Sequence, residues 1–296
     1  MPLDGSWVIL DEIMTAPAFF LIGSPWTWDS DFPVKFTITD LFVVTDQFEV
    51  YDGGSFVIET PNIPDWDVLG IAGPMVSPPY TVDPDIALAD GRFSSEVICF
   101  ASGSHSITIK DIHIPPTGEN GAFIDGTVAF KAELIAPTVT TILSGPDPAY
   151  VGEVTSWTIT IEICPDDVED LEGVVVQGGI GADLAITMVN DEEVDYPMEK
   201  KTSQSVDGVT LNKKGGKMGA TIVTWDIGEL VSNGCLTLEL TVQTGLNPKD
   251  KQEFTSAELG HELDGGFSAT YWYCGMEYET PETEPLTVDV VGEEED

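Results

Sequence analysis

The chain has 296 residues, with 52 acidic against 11 basic side chains and a formal net charge of −41. A binder of nucleic acid or of an anionic membrane surface needs a basic footprint to displace counterions, so this balance excludes both and leaves cations and locally positive surfaces as partners. The hydrophobic fraction of 42% is enough for packed cores, and no apolar run approaches the ~18 residues of a membrane-spanning helix, so neither disorder nor membrane insertion is expected.

At about 100–200 residues per domain the length predicts two domains. The acidity is shared between them: residues 1–136 hold 20 acids and 4 bases, and residues 137–296 hold 32 and 7. Near the N-terminus, Ile13–Ile22 is apolar but has no basic residues before it and is interrupted by Pro17, which does not read as a signal peptide. The expectation is therefore an export signal already removed, or another route. From there on the chain alternates apolar and polar residues in short runs: Phe36–Thr39, Phe48–Tyr51, Ile107–Lys110, Val128–Lys131, Trp157–Ile163 and Leu236–Val242. Period-two runs rich in Thr, Val and Ile predict half-buried strands. Asp52-Gly53, Asp207-Gly208, Asn233-Gly234 and Asp264-Gly265 predict tight turns. Only Ile86–Phe93 offers a turn or two of helix, and the last strand is expected over Leu286–Val290. The domain boundary falls where the strand Gly126–Leu134 ends and Ala136-Pro137 starts a new extended segment. That gives a β-sandwich over 1–136, a second over 137–292 and an acidic tail over 293–296.

Residues for catalysis are scarce. The three histidines are His105, His113 and His261. Ser104-His105-Ser106 sets a serine beside a histidine, but neighbours along a strand point to opposite faces and cannot form a nucleophile–base pair. Neither a nucleophile elbow, a zinc-protease helix nor a phosphate-binding loop occurs. The chain is therefore expected not to be an enzyme. For a metal, Asp83, Asp85 and Asp90 crowd one loop and are candidate Ca²⁺ ligands, with Asp40 and Asp46 approaching the same edge. Asp166, Asp167, Glu169 and Asp170 form a second acidic cluster. Trp26 and Trp28, at i and i+2, put two indoles on one strand face and are candidate stacking platforms for carbohydrate, while core packing is the competing role. Tyr271-Trp272-Tyr273 sets two tyrosines on one face and a tryptophan on the other. Lys200, Lys201, Lys213, Lys214 and Lys217 gather five of the eleven basic residues into 18 positions around a Val206-Asp-Gly-Val209 hairpin turn. This cationic hairpin is the expected contact for the acidic face of a second copy, which would make the chain a homopolymer.

The segment Tyr150-Val-Gly-Glu-Val-Thr-Ser-Trp157-Thr-Ile-Thr-Ile, the strand Gly173-Val-Val-Val-Gln177, the run Val223-Thr-Trp-Asp-Ile-Gly-Glu-Leu230 and the strand Gly234–Val242 follow one another in order. Together they resemble the Ig-like repeat domains of prokaryotic surface proteins. Cys164 and the Lys-bearing insertion near 200–217 depart from that pattern. The resemblance implies stalk, adhesin, sheath or filament roles and no catalytic residue. It also implies that Cys164 ends one strand beside the start of another at Cys235, within disulfide reach. Read from their own surroundings, Cys274 in the Tyr271-Trp-Tyr-Cys-Gly hairpin can compete for either, Cys99 is a buried small hydrophobe, and four reduced core thiols are the alternative. Residues Thr39–Asp52, Asp83–Ser95 and Gly103–Ile109 are more weakly similar to a secreted fungal and bacterial β-sandwich domain. The fold class expected is all-β, two tandem β-sandwich domains of jelly-roll or Ig-like type. The leading function is a non-enzymatic extracellular structural subunit of a cell-surface filament, sheath or surface layer, assembling head to tail and stabilised by Ca²⁺. The alternative is a secreted adhesin or carbohydrate-binding module, with polysaccharide as partner.

Overall fold

The computed structural model describes residues 1–10, 25–43, 46–62, 80–112, 127–150, 153–165, 170–182, 184–194, 203–213, 220–232, 234–244 and 261–291. The chain divides into two compact units, Met1–Ile135 and Ala136–Asp296. Both are all-β. Among the described residues no helix is long and apolar enough to cross a membrane.

The first unit runs β1 (Val8–Leu10), β2 (Trp26–Ser30), β3 (Val34–Val43), β4 (Phe48–Asp52), β5 (Ser55–Glu59), β6 (Tyr80–Thr81), helix α1 (Pro84–Ala89), β7 (Ser95–Phe100), β8 (Gly103–Asp111) and β9 (Thr127–Leu134). One sheet has the order β1-β9-β3-β6, with β7 also paired to β3, and the other has the order β2-β8-β4-β5. The two sheets form a sandwich because alternate residues on each side enter one shared core. Val34, Phe36 and Ile38 of β3 and Val128, Phe130 and Ala132 of β9 meet Phe48 and Val50 of β4 and Ile107 and Ile109 of β8. The Asp52-Gly53 signal makes a tight hairpin, with Gly53 and Gly54 both at positive φ between β4 and β5. Such a turn matches the strand twist, and glycine enters it without a Cβ penalty.

The second unit runs β10 (Thr138–Ser144), β11 (Ala149–Tyr150), β12 (Ser156–Cys164), β13 (Leu171–Ile180), β14 (Leu184–Val189), β15 (Glu192–Glu193), β16 (Ser203–Val206), β17 (Val209–Lys213), β18 (Thr221–Leu230), β19 (Leu236–Thr244), β20 (His261–Glu262), β21 (Asp264–Tyr273), β22 (Met276–Glu279), β23 (Thr287–Val288) and β24 (Val290–Val291). Its main sheets are β10-β12-β19-β14-β15 and β16-β17-β18-β13-β21-β22. Strict alternation on β12 buries Trp157, Ile159, Ile161 and Ile163, and on β19 it buries Leu238, Leu240 and Val242. The facing sheet contributes Val174, Val176, Val209, Leu211, Phe267 and Tyr271.

Asp264-Gly265 is not a turn, contrary to the expectation from its dipeptide. It opens β21, at a register irregularity where Gly178 faces Phe267 but Ile180 faces Asp264. The Asp264 carboxylate accepts from the Gly266 amide at 3.2 Å, and Gly266 has φ +95° with its Cα side pressed on the Thr283 carbonyl. Asp-Gly chemistry here builds a bulge rather than a reversal.

Two glycines in β13 differ in a testable way. A Cβ on Gly178 would lie 2.3 Å from the Phe267 ring, whereas one on Gly179 would meet only Ile222 at 3.9 Å. Gly178→Val should destabilise the second unit by about 1–3 kcal/mol through overpacking. Gly179→Ala should be neutral or stabilising by up to about 1 kcal/mol. Urea unfolding midpoints of the two variants check the contrast.

Candidate functional site

The loop aspartates each have a protein partner. Asp83 is the N-cap of α1, its Oδ1 accepting from the Asp85 and Ile86 amides at 3.0 and 3.4 Å. Asp85 accepts from the Trp7 indole N–H at 3.1 Å. Asp90 is gripped by Arg92 through Nε at 2.8 Å and Nη2 at 2.5 Å, and the guanidinium holds its carboxyl below the usual carboxylate range. The three carboxylates do not converge. Among the described residues the only trio of ligand atoms within 4.8 Å is Glu162, Cys164 and Cys235. The two sulfurs of that trio are already joined to each other. Asp40 and Asp46 do come together, both buried, with the Asp46 amide donating to Asp40 Oδ2 at 3.3 Å. Of the second acidic cluster, Asp166, Asp167 and Glu169 lie outside the described residues, while Asp170 accepts from the Ser232 amide at 2.6 Å.

Trp26 and Trp28 share a strand face as the spacing requires, but that face is the inner one. Trp28 is 7% exposed and packs on Phe36, Phe100 and His105, and Trp26 lies 4.5 Å from the Phe130 ring. Neither indole is a stacking platform for a sugar: sandwich closure claims the hydrophobic face of β2. Trp272 is the exposed one, at 47%, lying over Gly173, while Tyr271 and Tyr273 are buried behind it.

His105 is structural in its geometry. Its Nδ1 lies 2.7 Å from Asp52 Oδ2 and its Nε2 2.9 Å from the Ala101 carbonyl, so both ring nitrogens are engaged. Ser104 donates instead to Asp29 at 2.8 Å. His113 lies outside the described residues.

A disulfide joins Cys164 to Cys235, with Cα atoms 4.2 Å apart. The register explains it: Ile163 pairs with Leu236, so the flanking cysteines face each other where β12 ends and β19 begins. Cys235 is exposed. Cys99 is exposed too, not buried as expected, because Ile98 and Phe100 occupy the inward positions of β7. No described cysteine is a free thiol.

The cationic stretch is reached through the β16–β17 hairpin, closed by Asp207 and Gly208 at φ 46° and 75°. Val209 and Leu211 are fully buried and β17 pairs with β18, so the hairpin is anchored into the sheet. Lys213 ends β17, and burial lowers the pKa of its ammonium. Lys200, Lys201, Lys214 and Lys217 lie outside the described residues.

One functional-looking group escaped the motif reading. Asp264 is fully buried; its Oδ1 accepts from the Gly266 and Leu286 amides, and its Oδ2 has no hydrogen-bond partner among the described residues. Burial pushes its carboxyl up from the ordinary range. Only the fold brings Leu286 to it, 22 residues further along the chain.

No protein-family model matches the chain. No curated protein matches it either. A cohesin module from a Clostridium perfringens family 33 glycoside hydrolase is similar to it at 13% identity, covering 53% of this chain and 100% of the module with a TM-score of 0.29. A proposed β-galactosidase from Bacteroides fragilis is similar at 10% identity, covering 90% of this chain and 32% of that one with a TM-score of 0.26. Likenesses at this level carry no functional argument.

Replacing both Cys164 and Cys235 by alanine should cost the second unit roughly 2–4 kcal/mol, because a loop of 71 residues is released in the unfolded chain. Differential scanning calorimetry with and without reductant checks this.

For Asp264, a raised carboxyl pKa means that folding favours the protonated form. Its stabilising contribution is full below the unfolded pKa and is lost as pH rises through the folded one. Asp264→Asn should therefore be at its most favourable relative to wild type at neutral pH, with the gap closing on acidification. Asp264→Ala should destabilise at every pH by about 1–3 kcal/mol for each amide left unpaired. Chemical denaturation of the three proteins across pH reads both effects.

Proposed function

We propose that this chain is a non-enzymatic extracellular structural subunit of a cell-surface filament, sheath or surface layer, and that it assembles head to tail through its cationic hairpin. One observation carries the reading. The Lys-rich stretch continues from a hairpin fixed into the sheet by buried Val209 and Leu211, in a body of net charge −41. A positive element on a rigid mount facing a strongly negative neighbour sets orientation and encounter rate. Because donor and acceptor surfaces differ, the contact is heterologous and propagates.

The cysteines support an extracellular compartment. A disulfide whose Cys235 half is exposed persists where the surroundings are oxidising. The likeness of residues 138–243 to surface-protein Ig-like repeats belongs to the same proposal. The alternative, adhesion or carbohydrate binding, has no stacking platform at Trp26 and Trp28 and would have to use other groups.

Replacing Lys200, Lys201, Lys213, Lys214 and Lys217 by glutamate should abolish polymer formation while leaving the monomer folded. Light scattering and electron microscopy, alongside circular dichroism of the same samples, give the answer. Unchanged polymers from the substituted protein, or a wild type that stays monomeric at high concentration, would overturn the hairpin's role.

A further inference from the structure

An edge strand presents a row of unpaired amides and carbonyls, and proteins commonly protect it with charge, proline or brevity. Most edges here follow that rule. β15 is Glu192-Glu193, β22 carries Glu277 and Glu279, β5 ends on Glu59, and β2 carries Asp29. β10 does not. It is seven residues long, Thr-Val-Thr-Thr-Ile-Leu-Ser, and is the longest edge strand among the described residues without a charged side chain. Its whole length pairs with β12 on one side, and among the described residues no backbone hydrogen bond is made on the other. Ile142 is 56% exposed.

We propose that β10 is a self-pairing edge, at which a second copy of this chain adds its own β10 antiparallel about a two-fold axis. Charge selects this occupant. An acidic segment from anywhere else on the chain would place carboxylates against the Glu162 side chain, which sits one strand inboard opposite Thr140. Among the described strands, another β10 is the neutral one available at that length. Sequence then selects the register. Pro137 and Pro146 flank the strand, lack amide donors and cap the pairing at both ends. Full overlap between them puts Thr141 opposite its own copy, Val139 opposite Leu143, Thr140 opposite Ile142 and Thr138 opposite Ser144. In that register the half-buried residues Val139, Thr141 and Leu143 share one face, and the exposed residues share the other. Cross-strand pairs of β-branched residues of this kind are the unit of sheet stabilisation.

The contact is isologous and closes at two copies, so it is separate from head-to-tail docking by the hairpin and would join such chains laterally. Two bodies of −41 repel, so the pairing should strengthen with salt. Going from about 0.1 M to about 1 M NaCl cuts the screening length from about 10 Å to about 3 Å.

The test uses the full chain in sedimentation velocity at both salt concentrations, with two variants. Ile142→Asp places a charge on each side of the new seam at an exposed position, and should raise the dimer dissociation constant at least about tenfold. Thr141→Cys reads the register: oxidation should trap a covalent dimer, whereas Thr138→Cys, which would face Ser144, should not. Hairpin docking brings no two β10 strands together, so the crosslink reports this contact alone. A salt-promoted dimer with both variant behaviours supports the proposal. It is overturned by a wild type that never dimerises, by a dimer indifferent to Ile142→Asp, or by equal crosslinking at positions 138 and 141.

Discussion

Self-repulsion among 52 carboxylates is the constraint to which the rest of this structure answers. A chain so charged can collapse only if its apolar residues are sorted cleanly from its acids. A two-residue period does that sorting locally, since each strand sends one side inward and the other to water. β12 shows it plainly, with Trp157, Ile159, Ile161 and Ile163 buried and Glu162 on the outer side. Stacking two such sheets gives each unit a largely apolar core and a surface that carries most of the charge. Two of the buried acids accept from backbone amides: Asp264 from those of Gly266 and Leu286, and Asp40 from that of Asp46.

Packing in the second unit relies on aromatic rings laid against glycine. Phe267 covers Gly178, Trp272 covers Gly173 and Trp157 covers Gly145, each at a distance that leaves no room for a Cβ. A ring recovers the apolar area that a glycine lacks, and the glycine lets the ring approach the backbone. The same economy explains why most of the aromatics serve structure rather than recognition. Trp28 and Trp26 are spent on closing the first sandwich. The β16–β17 hairpin and the neutral edge strand lie on different sheets of the second unit.

Much of this was legible in the residues. Alternation alone located the strands around Phe36, Phe48, Ile107, Val128, Trp157 and Leu236, because the period of a strand is a local property. Asp52-Gly53 and Asp207-Gly208 marked their hairpins for the same reason, since positive φ at both turn positions, Gly53 and Gly54 in one and Asp207 and Gly208 in the other, is a demand on local residues. Asp264-Gly265 misled because an identical local chemistry also suits a bulge, and the choice was made by strands β13 and β21 pairing out of step. Face was legible for Trp26 and Trp28, but which face would be covered was not, as that depends on a second sheet distant in sequence. The aspartates at 83, 85 and 90 were close along the chain, yet a helix cap, an indole and a guanidinium each took one.

By itself, then, the sequence determined the all-β character, the strongly acidic balance and the hairpin turn at Asp207-Gly208. These are set by composition and by interactions spanning a few residues. Tertiary structure alone decided that Asp264 meets Leu286, that the aromatic pair turns inward, and that β10 ends up at a sheet edge with its outer backbone unpaired among the described residues. Each of these depends on which strands become neighbours, and neighbours are chosen by the burial of whole sheet faces, a quantity that no short stretch of residues contains.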